Sequence, residues 1–405
     1  MPDTLQATEL TDQAASAAHD GCPAVADLYP WLDPAETARR LAGQRVAPVV
    51  VPTGERMWLV CGHAEALQAM ADPALSRAAA AKRSVAATPA QLARRGGQAR
   101  DSETHLALRR ALAPAFTARQ ARTMSPWLER TAHRMVGDLF SAPPHADVVA
   151  GLARPLPMAA VSKLLGLDPR LLPRIAADAD ISATERASTH EIAAALARIT
   201  SQVIELIDQR RKEPQNTLLD RLITISDDGD LPDTHLAGLV RDLVIVGWHE
   251  AARRIATGIH ALLSHPDQYR LLRSDPSLVA QAVQELLRHE KYPSDLAPRV
   301  ATGDTTIVGT RIPADDTVVV SSYAADHDPL VHPDPDRLDI TRPTGPLLAF
   351  GHGIHYCPGS HLARTILAAT LTALCRHPPL TPAGTPQWRH GWVAPSLHTL
   401  PVARE

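Results

Sequence analysis

The chain has 405 residues, 45% of them hydrophobic, and a net charge of -3, so it holds ample material for a core and lacks the basic excess of nucleic-acid binders. Its four cysteines, Cys22, Cys61, Cys357 and Cys375, have neither paired nor metal-ligand spacing, which excludes a disulfide scaffold or zinc site and fits a reducing, cytoplasmic compartment. Met1 to Asp20 is polar and Ala/Thr-rich, without a basic start or apolar core; it reads as a flexible tail, 1–20, ahead of one domain, 21–405, and not as a signal or anchor. Leu236 to Ile259 is long and apolar, but Arg241, Asp242, His249, Glu250, Arg253 and Arg254 interrupt it too often for a bilayer span.

The length alone suggests two or three domains, yet nothing reads as a linker, and 35 prolines imply many turns and helix stops. Val46 to Val60 predicts a β-hairpin turning at Thr53-Gly54, followed by a helix over His63 to Ala71. Ser76 to Arg100 is Ala-rich and aperiodic, with Lys82, Arg83, Arg94, Arg95, Arg100 and a Gly96-Gly97 pair; this basic character is either a solvated face or a sign of an acidic or carrier-bound substrate. In Glu103-Thr104-His105-Leu106-Ala107-Leu108-Arg109-Arg110, the i, i+4 spacing puts His105 and Arg109 on one helix face, where they could grip an anion. Helical patterns follow over Pro157–Leu164, Arg170–Ala179 and Thr189–Arg211, the last with Ile192, Leu196, Ile199, Val203 and Ile207 as a core stripe. A long helix is expected over Leu236–Leu263 and another over Pro276–Arg288, carrying Glu285 and Arg288 three residues apart. Short strands are expected between Thr305 and Val320.

The most specific stretch is Phe350-Gly351-His352-Gly353-Ile354-His355-Tyr356-Cys357-Pro358-Gly359, a cysteine inside a turn of three glycines and a proline. Such a turn presents a sulfur instead of burying it, and the helical run from Ser360 would place a thiolate near a helix N-terminus and its partial positive charge. This stretch closely resembles the haem-ligand loop of the cytochrome P-450 family. The resemblance implies a mainly α fold with small β-sheets, a single large domain with haem between the distal long helix and the Cys loop. It makes Cys357 the axial ligand of the iron of haem b (heme b, iron protoporphyrin IX), with Phe350, Gly351, His355 and Gly359 of the same loop as further cofactor-binding residues. It also implies that His105, Arg109 and Arg299 hold the haem propionates, and that Glu285, Arg288 and Arg337 form a buried structural network. The loop from Ile181 to Ser188 would lie between the two helices that lid the pocket.

The same resemblance implies an enzyme: a soluble, bacterial-type haem-thiolate monooxygenase oxidising a small-molecule intermediate of specialised metabolism. With no flavin or iron–sulfur module in the chain, electrons would come from a separate ferredoxin and ferredoxin reductase or be bypassed by peroxide, and Arg109, Arg110, Arg119, Arg122 and Arg364 could form the docking face. In the long helix the family usually shows a small residue, Gly, any residue, an acid and Thr; here Glu250 supplies the acid, Trp248 replaces the Gly and Ala251 stands where the Thr is expected. Glu250 and Ala251 are therefore the expected catalytic positions, with Arg254 at i+4 as ion-pair partner of Glu250. The missing hydroxyl leaves oxidative coupling or ring closure without oxygen insertion as a second reading, and an idle haem-binding scaffold as a third. Pro358, which has no N–H, removes one backbone donor next to the thiolate, an expected lever on the haem potential.

Overall fold

Two antiparallel strands come first among the described residues, β1 (Val46–Val50) and β2 (Arg56–Val60), followed by α1 (His63–Ala71), β3 (Leu75–Ser76) and α2 (Arg77–Lys82). Next come α3 (Glu103–Leu112), α4 (Ala118–Asp138), β4 (Ala146–Asp147), a π-turn at Val149–Ala153, α5 (Pro155–Leu165), α6 (Leu172–Ala183), α7 (Thr189–Lys212), α8 (Leu218–Asp227) and the long α9 (Asp233–Ser264). After α10 (Pro266–Ser274) and α11 (Val279–His289) the chain forms β5 (Arg299–Ala301), β6 (Thr305–Ile307), β7 (Thr310–Ile312), β8 (Thr317–Val320) and α12 (Ser322–Asp326). It ends with α13 (Ser360–Arg376), β9 (Leu380–Pro382), β10 (Gln387–Arg389), β11 (Ser396–Thr399) and β12 (Pro401–Arg404). This computed structural model describes residues 44–50, 56–82, 103–139, 141, 146–184, 187–228, 233–290, 298–389 and 396–404. The expected tail 1–20, the Thr53-Gly54 turn and most of the basic stretch after Lys82 lie outside them. As expected, the protein is mainly α-helical with small sheets.

Two compact units emerge, both assembled from separated stretches of sequence. The first contains residues 1–88, 98–101 and 284–357. Its five-stranded sheet runs β1-β2-β8-β5-β3, with β2 parallel to β8 and the other pairs antiparallel; β6 and β7 form a separate ribbon. Val60, Val318, Val320 and Ala301 from the sheet pack with Ala66, Ala69 and Met70 of α1, an arrangement that follows from small and β-branched side chains on one face. Arg45 anchors this core to the segment after α12, reaching Glu65 at 2.8 Å and Asp328 at 2.6 Å.

The second unit is helical, with a three-stranded sheet β4-β12-β9 and a β10-β11 ribbon. The predicted stripe of α7 is buried, Ile192 and Ile199 completely, and packs with α5, α6, α8 and α9. Helix α7 starts with a capping box: Glu191 N–H donates to Ser188 Oγ, and Ser188 N–H to Glu191 Oε2 at 2.8 Å. Helix α5 stops at Gly166, φ 71°, where an added Cβ would sit 2.0 Å from an Arg210 guanidinium nitrogen. That guanidinium, fully buried, donates to the Gly166 carbonyl at 2.6 Å and pairs with Asp220 at 3.0 Å, so helix end and helix start share one cation. The periodicity argument did not anticipate α4, α8 or α10; apolar positions are sparse between charges in α4 and α10, whereas α8 is a short helix that buries Leu218, Leu219, Leu222 and Ile223.

Candidate active site

In the first unit the cysteine loop is a set of backbone bonds with two left-handed glycines. Gly351 N–H donates to Leu348 O at 2.8 Å, Tyr356 N–H to Gly353 O at 3.0 Å and Cys357 N–H to Phe350 O at 2.8 Å. Gly351 and Gly353 take φ of 70° and 69°, a region side chains with a Cβ enter at a cost. Gly353 is doubly constrained, because a Cβ there would meet the Met70 carbonyl oxygen at 2.7 Å. The loop therefore folds without burying its sulfur: Cys357, His355 and Phe350 are half-buried, while His352 and Ile354 are exposed. Gly359 is the N-cap residue of α13, two positions after Cys357 in sequence.

Arg299 in β5 is 1% exposed, a guanidinium committed to the interior. In α11 Arg288 grips Glu285 bidentately, Nε to Oε2 and Nη2 to Oε1 both at 2.8 Å, with both side chains almost fully buried. The second guanidinium on Glu285 belongs to Arg342, at 3.2 Å, and the expectation for Arg337 is corrected here. The Arg337 side chain is exposed; its carbonyl, not its charge, joins the network by accepting from Arg342 at 3.0 Å. A carboxylate has room for several donors, and the Asp339 N–H supplies another at 3.0 Å. Sequence spacing alone could not choose between two arginines five positions apart on an irregular segment.

Neighbouring histidines line the same region. His327 stacks on Tyr323, centroids 3.9 Å apart, and burial together with the Arg288 charge pushes its pKa down to about 3.

In the second unit His105 and Arg109 are half-buried on one face of α3, while Leu106 and Arg110 point to solvent. Midway along α9, Arg253 donates to Glu250 at 2.8 Å, one position earlier than the expected partner Arg254, which contributes through its charge. The Glu250 side chain keeps 41% of its surface open, yet it lies among enough surrounding atoms that dehydration opposes its charge. Arg253, itself 3% exposed, outweighs that penalty and holds the carboxyl below the usual glutamate range. Ala251 is buried. Trp248 is 1% exposed, with its indole N–H donating to the Arg154 carbonyl at 3.0 Å. Cys375 is half-buried and turned toward the Leu272 carbonyl, Sγ at 3.5 Å; among the described cysteines, Cys61, which belongs to the first unit, is the buried one, its pKa pushed up to about 12 by loss of hydration.

Taken unit by unit, the residue types suit an iron porphyrin with two carboxylates: a half-buried thiol, Cys357, and a buried cation, Arg299, in the first, and the half-buried His105 and Arg109 in the second. Residues 272–386 match the family model described as Cytochrome P-450. The nocardicin C N-oxygenase of Nocardia uniformis subsp. tsuyamanensis is 36% identical over 393 residues, which cover 94% of this chain and 97% of that protein. The chain belongs to the cytochrome P-450 family. This P-450 is also 35% identical to the monooxygenase PikC of Streptomyces venezuelae, over 86% of the chain and 84% of that protein. Among solved structures it is similar to the LnmA hydroxylase from the leinamycin pathway of Streptomyces atroolivaceus S-140, with TM-score 0.84, 31% identity and 96% and 98% of the two chains covered. The P-450 is an oxidoreductase of the haem-iron monooxygenase type, akin to bacterial enzymes that tailor secondary metabolites. Among its described residues no helix is long and apolar enough to cross a membrane.

Proposed function

We propose that this P-450 binds haem b through the Cys357 thiolate and oxidises a small-molecule intermediate of specialised metabolism in the cytoplasm, with electrons from a ferredoxin and its reductase. The observation that carries the reading is the cysteine loop, whose two left-handed glycines and close pass over Met70 leave Cys357 half-open when a small core would have buried it. A haem so bound supplies the oxidising chemistry, the thiolate pushing electron density toward the iron. The chain's own residues do the rest. His105, Arg109 and Arg299 are assigned to the propionates, with the last pre-desolvated by burial. Glu250, kept ionised by Arg253, takes up and releases protons in place of the absent hydroxyl at Ala251, through ordered water or through a hydroxyl or N–H of the substrate. Arg110, Arg119 and Arg122, exposed on α3 and α4, form the face assigned to the ferredoxin.

The test is spectroscopic. Reduced protein with carbon monoxide should show the red-shifted band of thiolate-ligated haem, and Cys357→His should abolish it while Cys61→Ala and Cys375→Ala keep it; a band that survives in the Cys357 variant overturns the ligand assignment. Ala251 and Trp248 also favour a second reading, oxidative coupling without oxygen insertion. Product formed under isotope-labelled oxygen separates the two, since only insertion carries the label.

A further inference from the structure

Four segments of the second unit meet at one carboxylate. Asp180, in the last turn of α6, accepts both oxygens' worth of bonds from Arg154 Nη2, at 2.9 and 3.1 Å. Arg154 is the single residue between the π-turn and α5. His249 of α9 brings Nε2 to 3.2 Å from Asp180 Oδ1, and Arg389 of β10 brings Nη1 to 3.4 Å from Oδ2. Burial opposes the Asp180 charge, but His249, Arg154 and Arg389 hold the carboxyl below its ordinary range. Beneath it the Arg154 guanidinium lies 4.6 Å over the Trp248 ring, whose N–H caps the Arg154 carbonyl, and the Trp248 and His249 rings are 4.4 Å apart. The side chains of Arg154, Asp180, His249 and Arg389 retain between 12% and 28% of their surface, so solvent screens the cluster only in part.

His249 and Trp248 immediately precede Glu250. Successive residues on a helix point about 100° apart, so the side of α9 that Asp180 grips and the side that carries the Glu250–Arg253 pair are different faces of one turn. Whatever shifts His249 along or around the helix axis shifts Glu250 with it. We propose that Asp180 is a positioning residue: by clasping Arg154, His249 and Arg389, it holds the α9 turn in register and thereby places Glu250 for its proton handling. The second half of this inference rests on the role assigned to Glu250 above; the first half stands on the contacts alone.

Both halves are tested on the haem-loaded full-length protein with Asp180→Ala and Asp180→Glu. Loss of the clasp should speed amide hydrogen exchange about tenfold, the ratio corresponding to ~1.4 kcal/mol, in three separate segments: the end of α6, residues 244–252 of α9, and β10. Reduced through a surrogate ferredoxin pair without substrate, Asp180→Ala should also release more peroxide per NAD(P)H than the native protein, at an unchanged carbon monoxide band, and Asp180→Glu should restore part of the difference. Faster exchange confined to α6 overturns the clasp. Faster exchange in all three segments with native peroxide release overturns the link to Glu250. If Asp180→Ala does not fold, His249→Gln removes a single tie and should loosen 244–252 alone; native exchange there overturns the clasp as well. Failure of the haem-thiolate reading shows separately, as a missing carbon monoxide band in the unchanged protein.

Discussion

Glu285 and Glu250 are both followed three residues later by an arginine on the same helix, in Glu285-Leu286-Leu287-Arg288 and Glu250-Ala251-Ala252-Arg253, and both accept a 2.8 Å bond from it. Their surroundings put that one pairing to opposite uses. Glu285 is 2% exposed, takes Arg288 bidentately and adds Arg342 and the Asp339 N–H, while Arg288 turns to the Pro335 carbonyl at 2.7 Å. Every oxygen has a donor and neither partner can move without stranding a charge. Glu250 keeps 41% of its side chain open and its arginine below it, an arrangement that leaves a charged oxygen available to a proton. The local motif thus specifies an ion pair; what covers it decides between scaffold and chemistry.

Isosteric loss of charge should break this comparison most sharply. Glu285→Gln leaves two buried guanidiniums facing a neutral amide and should cost about 3–5 kcal/mol in denaturant unfolding of the haem-loaded protein, whereas the open Glu250→Gln should cost about 1 kcal/mol and act instead on peroxide release. Equal losses would erase the distinction.

Acid should act next most strongly, and on the Glu285 side. Buried His327 has a folded pKa of about 3, below the ordinary 6.5, so between these values the unfolded chain binds a proton that the folded chain refuses. The stability this contributes at neutral pH is lost as pH falls, by up to about 1.4 kcal/mol per pH unit. His63 and His332, also pushed down chiefly by burial, add to the slope. His327→Phe should flatten unfolding free energy against pH over that window; an unchanged slope would remove His327 from the account.

A smaller effect separates the two arginines that spacing could not. Arg342→Met should destabilise by about 1–3 kcal/mol, while Arg337→Met should stay within about 0.5 kcal/mol, since the Arg337 side chain is exposed and reaches the network only as a solvent-screened charge near Asp339. The smallest expected change sharpens the Glu250 side: Ala251→Thr should lower peroxide per NAD(P)H for substrates without a hydroxyl or N–H near the reacting carbon and leave it nearly unchanged for substrates with one.

Much of the first unit was legible because its signals are local. The paired strands Val46–Val50 and Arg56–Val60, helix His63–Ala71 and the glycine-rich turn before Cys357 each announce themselves within a short stretch, and the structure places them where the pattern does, the Thr53-Gly54 turn lying outside the described residues. The α7 stripe was equally plain, since its apolar residues recur at the helical period and all five are buried. What stayed hidden depends on distance. Arg342 reaches Glu285 across 57 positions and Arg389 reaches Asp180 across 209, and nothing in either stretch marks its partner. Arg253 was missed for a subtler reason: i+4 is the favoured ion-pair spacing on an exposed helix, but a buried cation takes whichever carboxylate its packing allows.

The indole of Trp248 ties position 248 to positions 154 and 180. Its N–H satisfies the Arg154 carbonyl and its ring supports the guanidinium that Asp180 holds, so Trp248→Gly would open a void the size of the indole and strand a polar group at once, a loss of about 3–5 kcal/mol. The three positions therefore form one unit of substitution: their changes should be strongly non-additive, and a smaller side chain at 248 is tolerable only where 154 and 180 change with it.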